Sequence, residues 1–203
     1  MSARYAMAAA VVAVLTAACA SSSSRESTLE AGLTVILAGD QRPPEERARD
    51  AYRHPKDTLW FFGIRPETRV LEVWPEPGWY TAVIAPLVRE KGKYYAGVIA
   101  ADPSSKYITR RLEEYHARLA ARPDLYDRVA VVTFPSDGGD AVPPGSVDMV
   151  VTFRNIHNWM ARDQAAQAFQ SMYRAPSNCG CCGRSPPCRP SPAAPHRHRR
   201  WGR

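Results

Sequence analysis

The stretch Arg-Val-Leu-Glu-Val-Trp-Pro-Glu-Pro-Gly-Trp-Tyr-Thr at residues 69–81 decides the fold. A short aliphatic run carries one acid, Glu72, and then breaks into a turn rich in proline and glycine. The run suits a buried strand, and Gly78 can take backbone angles that other residues avoid and let a ligand approach the main chain. The pattern predicts a strand, a ligand loop and a helix start, the place where open α/β sheets bind nucleotide-like cofactors.

Apolar runs and helical segments alternate along the rest of the body. The predicted strands are 70–74, 94–99, 129–134 and 147–153, and the predicted helices between and after them are 79–90, 104–121 and 161–173. Strands separated by helices imply right-handed crossovers and a parallel sheet. The fold class expected is α/β, a Rossmann-like, doubly wound, mostly parallel sheet with flanking helices. A phosphate loop is disfavoured because no Gly-Lys-Ser/Thr follows the first strand.

Upstream of the first strand, the sequence predicts two helix starts. Pro44 followed by two glutamates favours one, and Asp57 as an N-cap with Gly63 as a stop favours a helix over 58–62. We expect the aromatic run 60–62 to pack on the sheet rather than to line a ligand site.

The positive charge is concentrated at one end. The net charge is +7, and residues 175–203 contain six arginines with no lysine or acid, so the first 174 residues carry only +1. A basic tail on a nearly neutral body is weak evidence for a nucleic-acid partner, since such charge runs are usually solvated. No nucleic acid is expected as a partner.

The N-terminus has the pattern of an export signal. Arg4 precedes an apolar stretch over 6–18 that is too short to span a bilayer. Cys19 and the small residues around it resemble the lipobox of bacterial lipoproteins, although Leu15 lies one place early. We expect residues 1–19 to be a signal peptide, Cys19 to be lipidated, and the protein to be periplasmic and membrane-anchored. Ordinary cleavage after Ala20 and an uncleaved helix are the alternatives.

The composition divides the rest of the chain into a tether, a body and a tail. Residues 20–43 are expected to form a flexible tether, 44–174 the folded domain, and 175–203 a disordered Cys/Pro/Arg-rich tail. Four cysteines crowd into the tail at 179, 181, 182 and 188, but their spacing matches no common zinc finger, so no metal is expected. Disulfides are one alternative, and a reading-frame shift that replaced the last strands of the sheet is favoured.

Two strings of sequence resemble a known family. Residues 69–81 and Asp-Met-Val-Val-Thr-Phe-Arg-Asn-Ile-His-Asn-Trp at 148–159 look like the class I S-adenosylmethionine-dependent methyltransferases. More narrowly, they resemble a bacterial group of predicted methyltransferases whose first motif runs Glu-(aliphatic)-Trp-Pro-Gly-Gly-Gly-Trp-Tyr-Thr. The resemblance covers about residues 50–174 and implies S-adenosylmethionine as cofactor and a small-molecule acceptor.

The resemblance assigns cofactor roles to three residues near the first two strands. Glu72 matches the acid that steadies the methionine end of the cofactor, and Gly78 is the remaining glycine of the turn. Asp102 best matches the acid that binds the ribose hydroxyls. Each has a structural alternative: Glu72 could cap a helix, and Asp102 before Pro103 could be a turn residue.

Three further residues follow later strands. The resemblance places Asp137 near the adenine amine, and Arg154 and Asn155 at the border of the cofactor or substrate pocket. Asp137 with the glycine pair 138–139 could instead form a turn, and Arg154 could pair with a surface acid.

The function expected is an exported S-adenosylmethionine-dependent methyltransferase. Glu76 and Pro77 replace family glycines in the turn, which places a charge and a rigid ring where the cofactor must approach. His157, His54 and Glu76 are candidate bases, and none is assigned as catalytic. The alternatives are a non-catalytic envelope binding module of the same fold and an inactive truncation product.

Overall fold

The computed structural model describes residues 29–177. Its four strands are β1 (Arg69–Val73), β2 (Lys93–Val98), β3 (Ala130–Thr133) and β4 (Met149–Thr152). All neighbouring strands are parallel, and the order across the sheet is β3-β2-β1-β4. Because β2 and β4 lie on opposite sides of β1, the chain reverses its winding direction at β1. This confirms the predicted Rossmann-like α/β sheet.

Helices precede, separate and follow the strands. Residues 29–38 are helical and are called α1. The others, in chain order, are α2 (Pro44–Arg47), α3 (Asp50–Arg53), α4 (Pro55–Phe62), α5 (Thr81–Val88), α6 (Lys106–Ala121), α7 (Pro123–Tyr126), α8 (Ile156–Ala161) and α9 (Ala165–Arg174).

The side chains of β1 point alternately to the two faces of the sheet, and a separate core cluster packs on each face. Val70 faces a cluster that includes side chains of α1 and of α4 through α7. Leu71 and Val73 face the opposite cluster, which includes side chains of α8 and α9. Successive side chains of a strand point to opposite faces, so β1 is buried on both sides and its residues must be apolar or otherwise satisfied. Glu72 shares the face of Val70.

The expected tether over 20–43 is wrong from residue 29 onward. Leu29 and Leu33 of α1 are buried in the same core cluster as Val70. After α1 the side chain of Arg42 is also buried, where it donates to the Leu37 carbonyl at 2.9 Å and to Asp50 Oδ2 at 2.8 Å. Leu29 and Leu33 lie four residues apart on the packed side of α1, whereas Val35 is 72% exposed, so the segment is an amphipathic helix and the folded body begins earlier than residue 44.

The helix before β1 also differs from expectation. It begins at Pro55 and no side chain caps it, while Gly63 ends it with φ 71° as predicted. Two residues of the aromatic run do not pack on the sheet, since Trp60 is 44% exposed and Phe61 is 84% exposed, whereas the Phe62 ring lies 6.3 Å from that of Phe153 after β4. Leu59 is the fully buried residue of this helix, because only one side of so short a helix can face the core.

The end of the described chain stays in contact with the sheet. β4 lies at the sheet edge among residues 29–177, as expected. Beside its start, Val147 forms a parallel bridge with Pro176, and Ser177 N donates to the Val147 carbonyl at 2.8 Å. The predicted disordered tail is therefore wrong for 175–177. The signal segment, Cys19 and the tail cysteines lie outside the described residues. No helix in the described part is long and apolar enough to cross a bilayer.

Candidate functional site

A cavity of about 790 Å³ opens at the carboxyl edge of the sheet. Its walls come from the loops that follow β1, β2 and β4 and from helices on either side of them, including α3, α6 and α8. The volume falls within the range of small-molecule sites, and the position next to the reversal of strand order is where open α/β sheets bind ligands.

Glu72 lies on the floor of this cavity and is 3% exposed. The Tyr94 hydroxyl on the neighbouring strand donates a hydrogen bond to its Oε2. Thr81 Oγ1 lies 2.8 Å from the Tyr94 hydroxyl and 3.2 Å from that of Tyr115, so the carboxyl group belongs to a buried chain of hydroxyls. Such a chain fixes the orientation of the carboxyl group before a ligand binds.

The pKa of Glu72 is raised to about 8, mainly by burial and to a smaller extent by the nearby negative charge of Glu76, while hydrogen bonds from Tyr94 and Thr81 oppose the shift. A carboxyl group with such a pKa is mostly protonated at neutral pH. A cation placed beside it would favour the carboxylate form, so the site can respond to a positively charged ligand by releasing a proton.

Glu76 belongs to the turn after β1, but its side chain reaches the carboxyl end of the neighbouring strand β2. Its Oε1 accepts a hydrogen bond from Ile99 N at 3.0 Å, and Arg111 donates to its backbone carbonyl. Burial raises the pKa of this carboxyl group also. Glu76 and Pro77, which replace family glycines, both line the cavity, and the Glu76 side chain is held at the end of the strand.

Asn155 ties the ends of β1 and β4 together. Its Nδ2 donates to the carbonyls of Val73 and Trp74 at 3.1 and 3.2 Å and to Thr152 Oγ1 at 3.0 Å. The adjacent Arg154 has a positive φ of 64°, as Trp74 has at 53°. Side chains of both Arg154 and Asn155 line the cavity. Left-handed backbone at non-glycine residues costs energy and is common at functional sites.

The other predicted site residues lie elsewhere. Asp102 Oδ1 accepts from Ser104 N at 3.0 Å, and Asp137 Oδ1 accepts from Gly139 N at 2.9 Å, so both form local turns. Gly78 has φ 98°, and a Cβ built on it would lie 2.9 Å from Arg118 Cδ. Glu72, Arg154 and Asn155 are thus brought together around the cavity, whereas Asp102, Asp137 and Gly78 are not among the residues that line it.

Sequence reasoning missed the wall that precedes β1. Arg49, just before α3, and Arg53, its last residue, line the cavity, and the Arg53 guanidinium lies 4.8 Å from the centre of the Trp79 ring. Beside them, Tyr80 stacks on Phe153 with ring centres 3.5 Å apart. The four-residue spacing of the two arginines was the available signal, since it places both on one side of a helix.

Of the candidate bases, His157 lines the cavity at the start of α8, whereas His54 does not. His54 has φ 43° and joins α3 to α4. Among the described residues, no three His, Cys, Asp or Glu side chains come together as a metal site would require.

Comparison with solved structures identifies the fold. A SAM-dependent methyltransferase from Aquifex aeolicus has a TM-score of 0.51 to this chain at 18% identity, over 66% of this chain and 63% of that one. The shared fold is that of a methyltransferase. The match spans less than two thirds of the Aquifex protein, so the structural similarity covers only part of that protein's length.

Two further structures are less similar. An arsenic(III) S-adenosylmethionine methyltransferase from Chlamydomonas reinhardtii has a TM-score of 0.42 at 23% identity, over 57% of this chain and 36% of that one. A cyclopropane-fatty-acyl-phospholipid synthase-like protein from Lactobacillus casei has a TM-score of 0.38 at 22% identity, over 60% and 46%. No protein-family model and no curated protein matches the sequence.

Proposed function

We propose that the chain is an S-adenosylmethionine-dependent methyltransferase that acts on a small molecule. The observation that carries the proposal is the pair of carboxyl groups of the buried Glu72 and the half-buried Glu76, at the ends of β1 and β2 in a methyltransferase fold. The two groups face one cavity at the carboxyl edge of a parallel sheet, where ligands of such sheets bind.

The residues present fit the chemistry of this cofactor. Glu72 would hold the ammonium group of its methionine end, since an ionising carboxyl group attracts a cation. Glu76 would accept hydrogen bonds from the ribose hydroxyls, the role expected for Asp102. Ile99 and Ile108 offer an apolar wall for the adenine on the same side. When bound, the cofactor supplies an electrophilic methyl group on a positively charged sulfur.

The protein would contribute to methyl transfer mostly by aligning the acceptor with that methyl group. His157 lies on the wall formed after β4, away from the proposed cofactor wall. It is our candidate to accept a proton from an acceptor hydroxyl or amine.

Calorimetry on the full chain tests the proposal. Both S-adenosylmethionine and its demethylated product should bind, and Glu72→Ala should weaken binding by at least about tenfold, because a charge-assisted hydrogen bond to a buried group is lost. Glu113→Ala removes an exposed carboxylate on α6 and serves as the control. Folded wild-type protein that gives no heat with either compound would contradict the cofactor assignment and favour a non-catalytic binding module.

We also propose that the protein is exported and anchored through a lipid on Cys19, as the N-terminal sequence predicts. Metabolic labelling with a palmitate analogue should mark the wild-type chain and fail to mark Cys19→Ser. Equal labelling of the two chains would remove this proposal, and secretion after ordinary cleavage would take its place.

A further inference from the structure

Three arginines line the cavity without a counter-ion. Arg49 directly precedes α3, Arg53 is the last residue of α3, and Arg154 follows β4. Among residues 29–177, none of the three side chains forms a salt bridge or a hydrogen bond. The other two arginines that line the cavity have contacts of their own: Arg111 donates to the Glu76 carbonyl, and Arg162 lies 5.6 Å from the centre of the Trp74 ring.

The acids nearby are already occupied. Glu46 is paired with Arg118, and Asp50 receives a hydrogen bond from Arg42 at 2.8 Å. Glu72 is mostly protonated at neutral pH because its pKa is about 8. Glu76 accepts a hydrogen bond from Ile99 N, so none of the described acids that line the cavity forms a salt bridge with the three arginines.

The three charges also repel one another. The pKa of Arg53 is lowered, first by burial and then by the positive charges of Arg49 and Arg154. Arg53 is half-buried, whereas Arg49 and Arg154 are exposed, so all three are open to a ligand, and an anion in the cavity would reduce their repulsion. Arg53 is held in place by stacking on Trp79, so its position does not depend on a carboxylate.

The sheet order separates Arg154 from the proposed cofactor wall. Glu76 and Ile99 lie on the β2 side of β1, whereas Arg154 follows β4 on the opposite side. Phe153, next to Arg154, stacks on Tyr80 and borders the same part of the cavity. The cavity therefore carries the Glu76 carboxyl group on one side of β1 and the Arg154 guanidinium group on the other.

We propose that Arg49, Arg53 and Arg154 form an anion subsite that binds a carboxylate or phosphate group of the methyl acceptor. The assignment of the anion to the acceptor rests on the proposed function. Guanidinium groups suit this role because they are planar, permanently charged and able to donate two parallel hydrogen bonds to such groups. The proposal narrows the acceptor to an anionic small molecule.

Three probes that share one ring test the subsite: benzoate, phenyl phosphate and neutral benzamide. Each is titrated into full-length protein saturated with S-adenosylhomocysteine, and binding is followed by calorimetry at low ionic strength. We expect benzoate or phenyl phosphate to bind and benzamide to bind at least about tenfold more weakly. Whichever of the two anions binds more tightly indicates whether the subsite prefers a carboxylate or a phosphate.

Arg154→Gln and Arg49→Gln change exposed side chains, so they should fold even if Arg53→Gln does not. Each should weaken anion binding about tenfold or more and leave S-adenosylhomocysteine binding within about twofold of wild type. Arg65→Gln is the matched control, an exposed arginine before β1 that does not line the cavity.

The outcomes separate this proposal from the proposed function. Wild-type binding of S-adenosylhomocysteine with no anion binding, or with anion binding that the variants keep, would overturn the subsite alone. Variants that lose S-adenosylhomocysteine and anions together would show that the arginines hold the carboxylate of the cofactor, which also overturns it. If S-adenosylhomocysteine does not bind at all, the proposed function fails, and the assignment of the anion to an acceptor fails with it.

Discussion

The Tyr94 hydroxyl donates a hydrogen bond to the Glu72 carboxyl group across the β1–β2 pair. The same hydroxyl contacts Thr81, which contacts Tyr115, so β1, β2, α5 and α6 meet at this carboxyl group. The folded protein keeps a proton on Glu72 up to a pKa of about 8, whereas an ordinary glutamate releases it near 4.5. Protonation of Glu72 therefore affects both the stability of the fold and the charge of the cavity.

The first prediction concerns the pH dependence of stability. Because the pKa of Glu72 is raised in the folded state, stability should be greatest below about pH 4.5 as far as this group is concerned, and should fall as the pH rises towards about 8. Glu72→Gln removes this titration, so its free energy of unfolding should exceed that of wild type at alkaline pH, by an amount on the order of a few kcal/mol.

Urea unfolding at a series of pH values measures this difference. Glu113→Gln, which changes an exposed carboxylate, should keep the pH slope of wild type. Parallel slopes for wild type and Glu72→Gln would show that Glu72 ionises normally in the folded protein.

The second prediction compares two glycines with positive φ. Gly78 has φ 98°, and a Cβ on it would lie 2.9 Å from Arg118 Cδ, whereas Gly63 has φ 71° and open space around the same point. Gly63→Ala should cost about 1 kcal/mol from backbone strain alone, and Gly78→Ala should cost about 1 to 3 kcal/mol more. Thermal and urea unfolding check the order, and equal costs would mean that Arg118 moves aside freely.

The third prediction concerns the link between the two strand ends. Asn155→Ala removes three hydrogen bonds, to two carbonyls and to Thr152, and should lower the free energy of unfolding by about 1 to 3 kcal/mol. Asn158→Ala changes the same residue type in the same cavity wall, but its side chain has no hydrogen bond among the described residues. Asn158→Ala should therefore change the free energy of unfolding very little. A loss of similar size in both variants would refute the role given to Asn155.

The fourth prediction follows from the proposed function. At pH 7 Glu72 is mostly protonated, and the ammonium group of S-adenosylhomocysteine should favour its ionised form. Binding should therefore release up to about one proton per site at that pH, and less above about pH 9. Calorimetry in two buffers with different ionisation enthalpies measures the release. Glu72→Gln should bind without it, and a buffer-independent wild-type heat would argue against contact between Glu72 and the ammonium group.

The sheet could be predicted because its signals are local. Each strand is a short aliphatic run, and the segments between β1, β2 and β3 have helical composition, so parallel pairing followed from topology rules. The helix α1 could not be predicted in the same way. The Ser-rich residues before it and the two prolines at 43–44 after it are typical of a tether, and only the packing of Leu33 against the core shows that the apolar stretch between them has a partner.

The candidate site was predictable where a side chain lies in a strand or within three residues of its end. Glu72 lies in β1, and Arg154 and Asn155 follow β4 by two and three residues, so the strand ends place them at the cavity. Asp102 and Asp137 are each four residues beyond their strands, where an aspartate can bond to a nearby backbone amide and turn away. The reach of Glu76 from one strand to the next depends on side-chain conformation, which spacing in the sequence does not determine.

The packing of residues 29–38 on the core also limits the distance between the body and a membrane. If Cys19 carries a lipid, only about ten peptide units separate it from residue 29, and a fully extended chain spans at most about 3.6 Å per residue. The upper limit is about 36 Å, close to the thickness of a bilayer. The folded domain of an anchored protein would thus remain within about that distance of the lipid surface. Its acceptor would have to diffuse into this layer to be methylated.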